Sequence, residues 1–220
     1  MRPSTPGGAV VTARVECVVT TGVLAGPDAD ATPMENNVWI VGDDEQVMVV
    51  DPAHEPDTIA TALGDRRVVA IACTHAHSGH VDAAVALSDQ TGAPIMLHPD
   101  DLELWRRSYP GRVPDEELVD GRVIDVAGTT MTARHTPGHT PGSVSLYDPA
   151  LHSVFTGDML FSRGPGTIGP EDSDFQSMIQ SIRERLVTLP PETVVCPGHG
   201  DITTVGEVGE RVEDWLRRIE

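Results

Sequence analysis

The sequence predicts an α/β (α+β) fold built from layers of strands and helices. Two observations support this prediction. Residues 10–107 read as paired strands followed by strands that alternate with helices, whereas most elements after Gly121 read as strands separated by glycine and proline. In addition, histidine and aspartate residues follow the ends of several apolar strands, as expected where strand ends gather at one edge of a layered sheet.

The chain is predicted to form a single domain over residues 1–220. Its length suffices for one sizeable hydrophobic core, and it contains no linker, low-complexity run or internal repeat. Residues 1–9 are expected to be flexible.

The first half of the chain is predicted from its apolar runs and turn residues. Strands are predicted at 10–23, 37–41, 46–51, 68–73 and 94–98, and helices at 57–63, 81–87 and 99–107. The segment 98–120 is rich in charge and proline. It is either a lid over a pocket or a solvated helix and loop, and the second interpretation is favoured.

The second half is predicted to be mostly strand. Strands are predicted at 122–126, 129–135, 143–147, 153–156 and 193–196, and helices at 174–189 and 206–220. The helix at 174–189 places its apolar residues on one face and should therefore pack against a sheet.

Three histidines within six residues, His75, His77 and His80, form the densest chemical motif of the chain. They follow the apolar run 68–73 and precede the predicted helix 81–87, so they lie on a strand-to-helix turn. His75 and His77 are two residues apart on extended backbone and point to the same side. The cluster predicts a metal site, and the alternative is a polar surface loop.

Three further groups follow strand ends in the same way. His139 lies between two Pro-Gly turns, Asp158 ends the strand at 153–156, and His199 follows the strand at 193–196. Four strand ends that converge would bring these side chains to the first cluster. Cys73 and Cys196 also end apolar strands, and are interpreted as buried packing residues and not as ligands.

Composition limits the partners. The formal net charge is -19 and the 15 basic residues are all arginine, which argues against nucleic acid and anionic membranes as partners. The composition is typical of a GC-rich, actinobacterial genome. No signal-peptide core and no membrane-spanning run are visible, so a cytoplasmic location is expected. The sequence gives no prediction of the oligomeric state.

Four segments in this order resemble the metallo-β-lactamase superfamily and, within it, the glyoxalase II-like (hydroxyacylglutathione hydrolase-like) enzymes. They are Thr-His-Ala-His-Ser-Gly-His at 74–80, Thr-Pro-Gly-His-Thr-Pro-Gly-Ser at 136–143, Phe-Thr-Gly-Asp at 155–158 and Pro-Gly-His-Gly at 197–200. The resemblance covers roughly residues 10–215. It implies a four-layer αββα sandwich, with two sheets face to face, helices outside and a metal site at one rim.

The resemblance also implies ligands for two metal ions. His75, His77, His139 and Asp158 correspond to the first site, and His80 and His199 to the second, with Asp158 between the two ions. In such a centre a metal-bound hydroxide attacks the substrate carbonyl, so Asp158 with that hydroxide is the implied catalytic group. Zn²⁺ is the expected cofactor, as one or two ions, with iron or manganese as alternatives.

The chain departs from the family pattern His-x-His-x-Asp-His because Gly79 stands at the aspartate position. That aspartate normally binds the second metal. Three outcomes are open: a mononuclear site, a weak second site completed by water, Ser78 or Asp82, or a catalytically silent member of the family. The first two are favoured because every other ligand is present.

The expected substrate is a small-molecule thioester or related ester. The helical C-terminal domain that helps glyoxalase II to hold glutathione is expected to be absent, which favours another thiol carrier such as mycothiol. Arg163 is the candidate for binding a substrate anion. The alternative activity is that of a mononuclear-iron persulfide dioxygenase, and β-lactamase activity is least expected.

Three residues outside the motifs have weaker assignments. Asp51 either supports the site from behind its ligands or caps the turn that follows it. His135 is predicted to face the rim of the pocket. His98 is predicted to be a polar residue at a strand end and not a ligand.

Overall fold

The computed structural model describes residues 13–24, 32–166, 173–211 and 215. The predicted flexibility of residues 1–9 and most of the predicted helix 206–220 lie outside this part. The first six-stranded sheet contains, in spatial order, β1 (Arg14–Leu24), β2 (Thr32–Gly42), β3 (Gln46–Val50), β4 (Arg67–Ala72), β5 (Ile95–Leu97) and β6 (Glu116–Glu117). β1, β2 and β3 pair antiparallel, and β3 to β6 pair parallel.

The second sheet contains most strands of the C-terminal half. In chain order the strands are β7 (Val123–Val126), β8 (Thr129–His135), β9 (Val144–Asp148), β10 (Ser153–Gly157), the small hairpin β11 (Leu160–Phe161) and β12 (Gly164–Pro165), β13 (Val194–Pro197) and β14 (Thr203–Thr204). The six-stranded sheet has the spatial order β14-β13-β10-β9-β8-β7, and β10 and β13 are parallel.

The helices lie between and after these strands. They are α1 (Pro56–Leu63), α2 (Ser78–Val81), α3 (Ala84–Thr91), α4 (Leu102–Ser108), α5 (Phe175–Ser181) and α6 (Val205–Gly209), with a 3₁₀ turn at Pro99–Asp101 and a π-helical turn at Ile182–Leu186. No helix in the described ranges is both long and apolar enough to span a membrane.

Alternating side chains of the central strands build three apolar layers. In β2, Trp39 and Val41 face the second sheet, where Trp39 contacts Phe155 edge-on at 5.9 Å between ring centroids. Val38 and Ile40 of the same strand face the opposite way, toward the helices of the first half. The outer face of the second sheet packs against α5 and the π-helical turn. Since both faces of these strands are buried, their sequences read as nearly continuous apolar runs. The predicted αββα sandwich is confirmed.

The predicted helix 81–87 is interrupted in the structure. α2 ends at Val81 and α3 begins at Ala84, with Asp82 between them. The Asp82 carboxylate accepts a hydrogen bond from the His54 backbone N–H and lies 2.5 Å from His54 Nδ1. The backbone N–H of Ala83 donates to the Pro52 carbonyl. These contacts to the preceding loop explain the break.

The segment 98–120 is neither a lid nor a solvated helix. Trp105 is fully buried in the core between the first sheet and its helices, and its indole N–H donates to the Arg112 carbonyl at 2.6 Å. A short strand, β6, then adds the segment to the sheet edge. The sequence prediction missed the burial of Trp105 because the segment around it is rich in charged residues and proline.

We expect Trp105→Ala to lower the free energy of unfolding by about 3–5 kcal/mol, because it leaves a large cavity in a closed apolar layer. Urea unfolding would measure the loss. Val113→Ala in the same segment is the matched control, since Val113 is 64% exposed and should change stability by about 0.5 kcal/mol or less. Equal effects of the two substitutions would contradict this account of the segment.

Candidate metal centre

Four strand ends and one helix bring the predicted ligands to one rim of the sandwich. His75 and His77 follow β4, and His80 lies on α2 directly after them. The turn between β8 and β9 carries His139. β10 and β13 lie side by side in parallel, so the residues that follow them, Asp158 and His199, emerge at the same edge.

The first group consists of His75, His77 and His139, each of which offers a nitrogen atom within 4.8 Å of the others. His77 Nδ1 lies 2.9 Å from His139 Nε2. Asp158 Oδ2 lies 3.7 Å from the same His139 nitrogen. His75 and His139 are buried, and His77 is half-buried.

The second group consists of His80, His199 and Asp158. His80 Nε2 lies 3.2 Å from His199 Nε2 and 3.4 Å from Asp158 Oδ1. His199 Nε2 lies 3.6 Å from Asp158 Oδ2. Asp158 therefore stands between the two groups, with one oxygen toward His80 and the other toward His139 and His199.

These donor atoms fit a divalent cation. Ligand atoms about 2.0–2.2 Å from a tetrahedral Zn²⁺ lie roughly 3.3–3.6 Å from one another, and the separations above run from 2.9 to 3.7 Å. His75 Nε2 is also buried without a hydrogen-bond partner. A buried acceptor is expected to be satisfied, so this nitrogen points to a positively charged group. The assignment of the six residues as ligands remains a prediction, and the structure brings all six together.

Two of the histidines are oriented by contacts of their Nδ1 atoms, the ring nitrogens that face away from the centre. His199 Nδ1 lies 2.7 Å from the Glu35 carbonyl, and His80 Nδ1 lies 3.3 Å from Asp51 Oδ2. Both contacts leave Nε2 facing the centre. Asp51 also accepts hydrogen bonds from the backbone N–H and the hydroxyl of Thr74, each at 2.7 Å. Of the two roles open for Asp51, these contacts favour support of the site.

Burial and mutual charge tune the protonation of the centre. Burial and the charges of His80 and His139 lower the pKa of His75 well below its ordinary value, so His75 is neutral, the form that binds metal. Burial opposes charge on His80, but the charge and hydrogen bonds of Asp158 and Asp51 outweigh it and raise the pKa of His80 to about 10.

The pKa of Asp158 is shifted in the opposite direction. Burial favours its neutral form, yet the charge of His80 and the hydrogen bonds from His199 and His80 hold the pKa of Asp158 well below its usual range. The charged forms of His80 and Asp158 thus stabilise each other. A cation bound here would displace the proton from His80.

Gly79 lines the cleft beside the second group. A side chain at this position would have room, because an added Cβ would meet only Asn36 Nδ2, at 3.6 Å. Asp82 does not fill the place of the missing carboxylate, since its own carboxylate is engaged with His54. Ser78 lines the cleft and remains a candidate.

The centre lies at the bottom of a cleft of about 790 Å³. Arg163 lines this cleft, and its role in binding a substrate anion stays a prediction. The sequence did not single out Met34 and Phe161, which give the cleft an apolar wall. Their only signal was proximity in sequence to the predicted strand at 37–41 and to Asp158.

His135 does not line the cleft. It stacks on His98 with ring centroids 4.1 Å apart and planes 9° apart, and its Nε2 lies 2.9 Å from the Pro141 carbonyl. With Asp100 these rings form a further group of metal-binding residue types. Parallel rings direct their nitrogen lone pairs side by side and not toward one point, so His98 is not a ligand in this geometry.

Comparison with known proteins places this centre in a family. Residues 31–199 match the model of the metallo-beta-lactamase superfamily. The chain is 28% identical to the hydroxyacylglutathione hydrolase GloC of Haemophilus influenzae over 80% of its length and 91% of that protein. It is 30% identical to BaeB of Bacillus velezensis, a probable polyketide biosynthesis zinc-dependent hydrolase, over 83% of its length and 79% of that protein.

A solved structure agrees with these sequence matches. The di-iron-bound form of TTHA1623 superimposes with a TM-score of 0.71 and 33% sequence identity, covering 86% of this chain and 96% of the other. Members of this superfamily bind metal ions and are generally hydrolases. The chain belongs to the metallo-beta-lactamase superfamily.

Proposed function

We propose that this protein is a metal-dependent hydrolase that cleaves a small-molecule thioester or related ester. The observation that carries the proposal is that five imidazoles from distant parts of the chain meet around the carboxylate of Asp158. The hydroxyacylglutathione hydrolase and the zinc-dependent hydrolase among its relatives support this reaction class.

Zn²⁺ is the proposed cofactor, with iron or manganese as alternatives. Imidazole and carboxylate donors suit all three metals, and the relatives include a zinc-dependent and a di-iron-bound protein. A bound cation supplies a water of lowered pKa and polarises the substrate carbonyl.

The chain's own residues would hold and orient the reactants. His75, His77 and His139 form the proposed first site, shared with Asp158. Asp158 stays ionised and can accept a hydrogen bond from the attacking water. This fixed acceptor is the catalytic contribution that we assign to Asp158.

The second proposed site, His80 and His199 with Asp158, has one carboxylate fewer than the family pattern because of Gly79. We propose that it binds a cation more weakly than the first site. Charge neutralisation by carboxylates contributes strongly to the binding of a divalent cation, so its loss weakens affinity without preventing catalysis at the first site.

The cleft suggests what the substrate presents. Met34 and Phe161 offer apolar surface, and Arg163 offers a cation to a carboxylate or phosphate of the thiol carrier. A thiol carrier other than glutathione remains the preferred proposal. A cytoplasmic location and the exclusion of nucleic acid and membrane as partners also remain predictions.

We expect the zinc-loaded protein to release free thiol from at least one member of a panel of glutathione, mycothiol and N-acetylcysteamine thioesters. Removing the metal with a chelator should abolish the release, and adding zinc back should restore it. His139→Ala should lower kcat/KM by about 100-fold or more, because it removes a donor of the first group. Release of thiol can be followed continuously with a chromogenic disulfide.

His152→Asn is the control for this experiment. His152 is an exposed turn residue with a positive φ of 49° that asparagine tolerates, so activity should be unchanged. Oxygen consumption with glutathione persulfide by the iron-loaded protein, without thioester cleavage, would favour the dioxygenase alternative. Metal-loaded protein that cleaves no thioester, ester or lactone would identify a silent family member.

We expect Gly79→Asp to raise occupancy of the second site, because it restores a carboxylate where an added side chain has room. Metal content of protein purified without added metal, measured by mass spectrometry, should rise from near one ion per chain toward two. Gly111→Asp adds the same charge where nothing lies within 4 Å and should leave the metal content unchanged. Identical content near one in all three proteins would contradict the expectation.

We expect Arg163→Ala to raise KM about tenfold for a thioester whose carrier bears a carboxylate, with kcat nearly unchanged. A thioester of neutral N-acetylcysteamine should show no such change. Arg106→Ala removes an exposed arginine from α4, away from the cleft, and serves as the charge-matched control. An equal KM increase for both substrates would exclude anion recognition by Arg163.

A further inference from the structure

Asp101 is a fully buried carboxylate that lies beside the metal centre without belonging to its donor set. It ends the 3₁₀ turn that precedes α4. Burial raises the pKa of its carboxyl group, and the hydrogen bonds that it accepts oppose this rise. Burying a carboxylate is costly unless it is fully hydrogen-bonded, so the stability of Asp101 in this position depends on its hydrogen-bond donors.

The partners of Asp101 lie on the two loops that carry the first group of histidines. Oδ2 accepts hydrogen bonds from the Ala76 backbone N–H at 2.9 Å and from the Thr140 hydroxyl at 2.8 Å. Oδ1 accepts one from the Gly142 backbone N–H at 2.7 Å. Ala76 lies between His75 and His77, and Thr140 directly follows His139.

One carboxylate therefore joins the backbone of one ligand loop to the other. The approach is close: an added Cβ at Gly142 would lie 2.6 Å from Asp101 Oδ1, so only glycine fits there. A direct backbone hydrogen bond from Val144 N–H, at the start of β9, to the carbonyl of Thr74, which precedes His75, also joins these two segments, at 2.8 Å.

We propose that Asp101 is a positioning residue that sets the spacing between the His75–His77 loop and the His139 loop, so that their three nitrogens are preorganised for one cation. The proposal rests on the ligand set assigned to the first site above. Asp101 belongs neither to the donor groups nor to the cleft lining of the described residues, and it acts through the backbone of both loops and the Thr140 hydroxyl. Without the hydrogen bonds to Asp101, the two loops would have to become ordered when the cation binds. The conformational entropy lost in that ordering lowers the affinity for the metal.

Asp148 provides a matched control within the same chain. It is also a fully buried carboxylate with three donors, the Thr129 hydroxyl and the backbone N–H groups of Ala150 and Leu151. These donors lie in the second sheet and the turn after β9, and none adjoins a proposed ligand. Asp148→Asn thus reproduces the general cost of disturbing such a carboxylate.

The test compares Asp101→Asn with Asp148→Asn. Zinc affinity is measured by competition with a chromophoric chelator, and thermal unfolding is measured for the chelated and the zinc-loaded protein. We expect Asp101→Asn to weaken binding of the first ion by about tenfold or more and to reduce the stabilisation by zinc. Asp148→Asn should bind zinc within about twofold of wild type, even where it lowers the stability of both forms.

Zinc affinity of Asp101→Asn within about twofold of wild type, or an equal loss in Asp148→Asn, would overturn the proposal. Where Asp101→Asn fails to fold, Thr140→Val removes one of the three hydrogen bonds at similar volume and should weaken zinc binding to a smaller but measurable extent. The readout is independent of catalysis. Tight zinc binding without thioester cleavage would contradict the proposed function and leave this inference standing, whereas wild-type protein that binds no zinc would overturn the inference.

Discussion

The ionised carboxylate of Asp158, largely buried between two groups of histidines, is the group on which the rest of the centre depends. A buried charge of this kind is stable only when opposite charge or several donors face it. Here imidazoles approach both oxygens, and the raised pKa of His80 and the lowered pKa of Asp158 are those of an ion pair in which His80 carries the proton. The same arrangement that balances the carboxylate with a proton also prepares it for a divalent cation.

The two packed sheets hold Asp158 and the histidines in fixed positions relative to one another. β10 and β13 are neighbouring parallel strands, so Asp158 and His199 are delivered side by side. Close packing leaves little room at the join: an added Cβ at Gly198 would lie 2.6 Å from Asp158 Oδ1. The intersheet layer around Trp39 and Phe155 fixes the distance between the two strand systems, and the site inherits that rigidity.

Much of this organisation was predictable from the sequence, because apolar runs identify buried strands and polar residues at their ends identify a rim. The six ligand candidates were found in this way, together with the family motifs. The sequence did not indicate contacts between side chains that are far apart along the chain. Nothing local to Asp82 indicates its contact with His54, and nothing local to Asp101 indicates that it joins two distant loops. Trp105 was missed because its charged neighbours suggested solvent.

The start of β2 has a consequence for how the centre comes together. The Glu35 carbonyl holds His199, and the Asn37 side chain donates to the carbonyls of Pro197 and Gly200. A histidine that belongs to one sheet is thus aimed by a strand of the other. Because side chains alternate along a strand, a slip of β2 by a single residue would turn Asn37 away from its acceptors. The second group therefore forms only when the two sheets have packed together with β2 in the correct register. Cation binding to this group thus requires the complete sandwich.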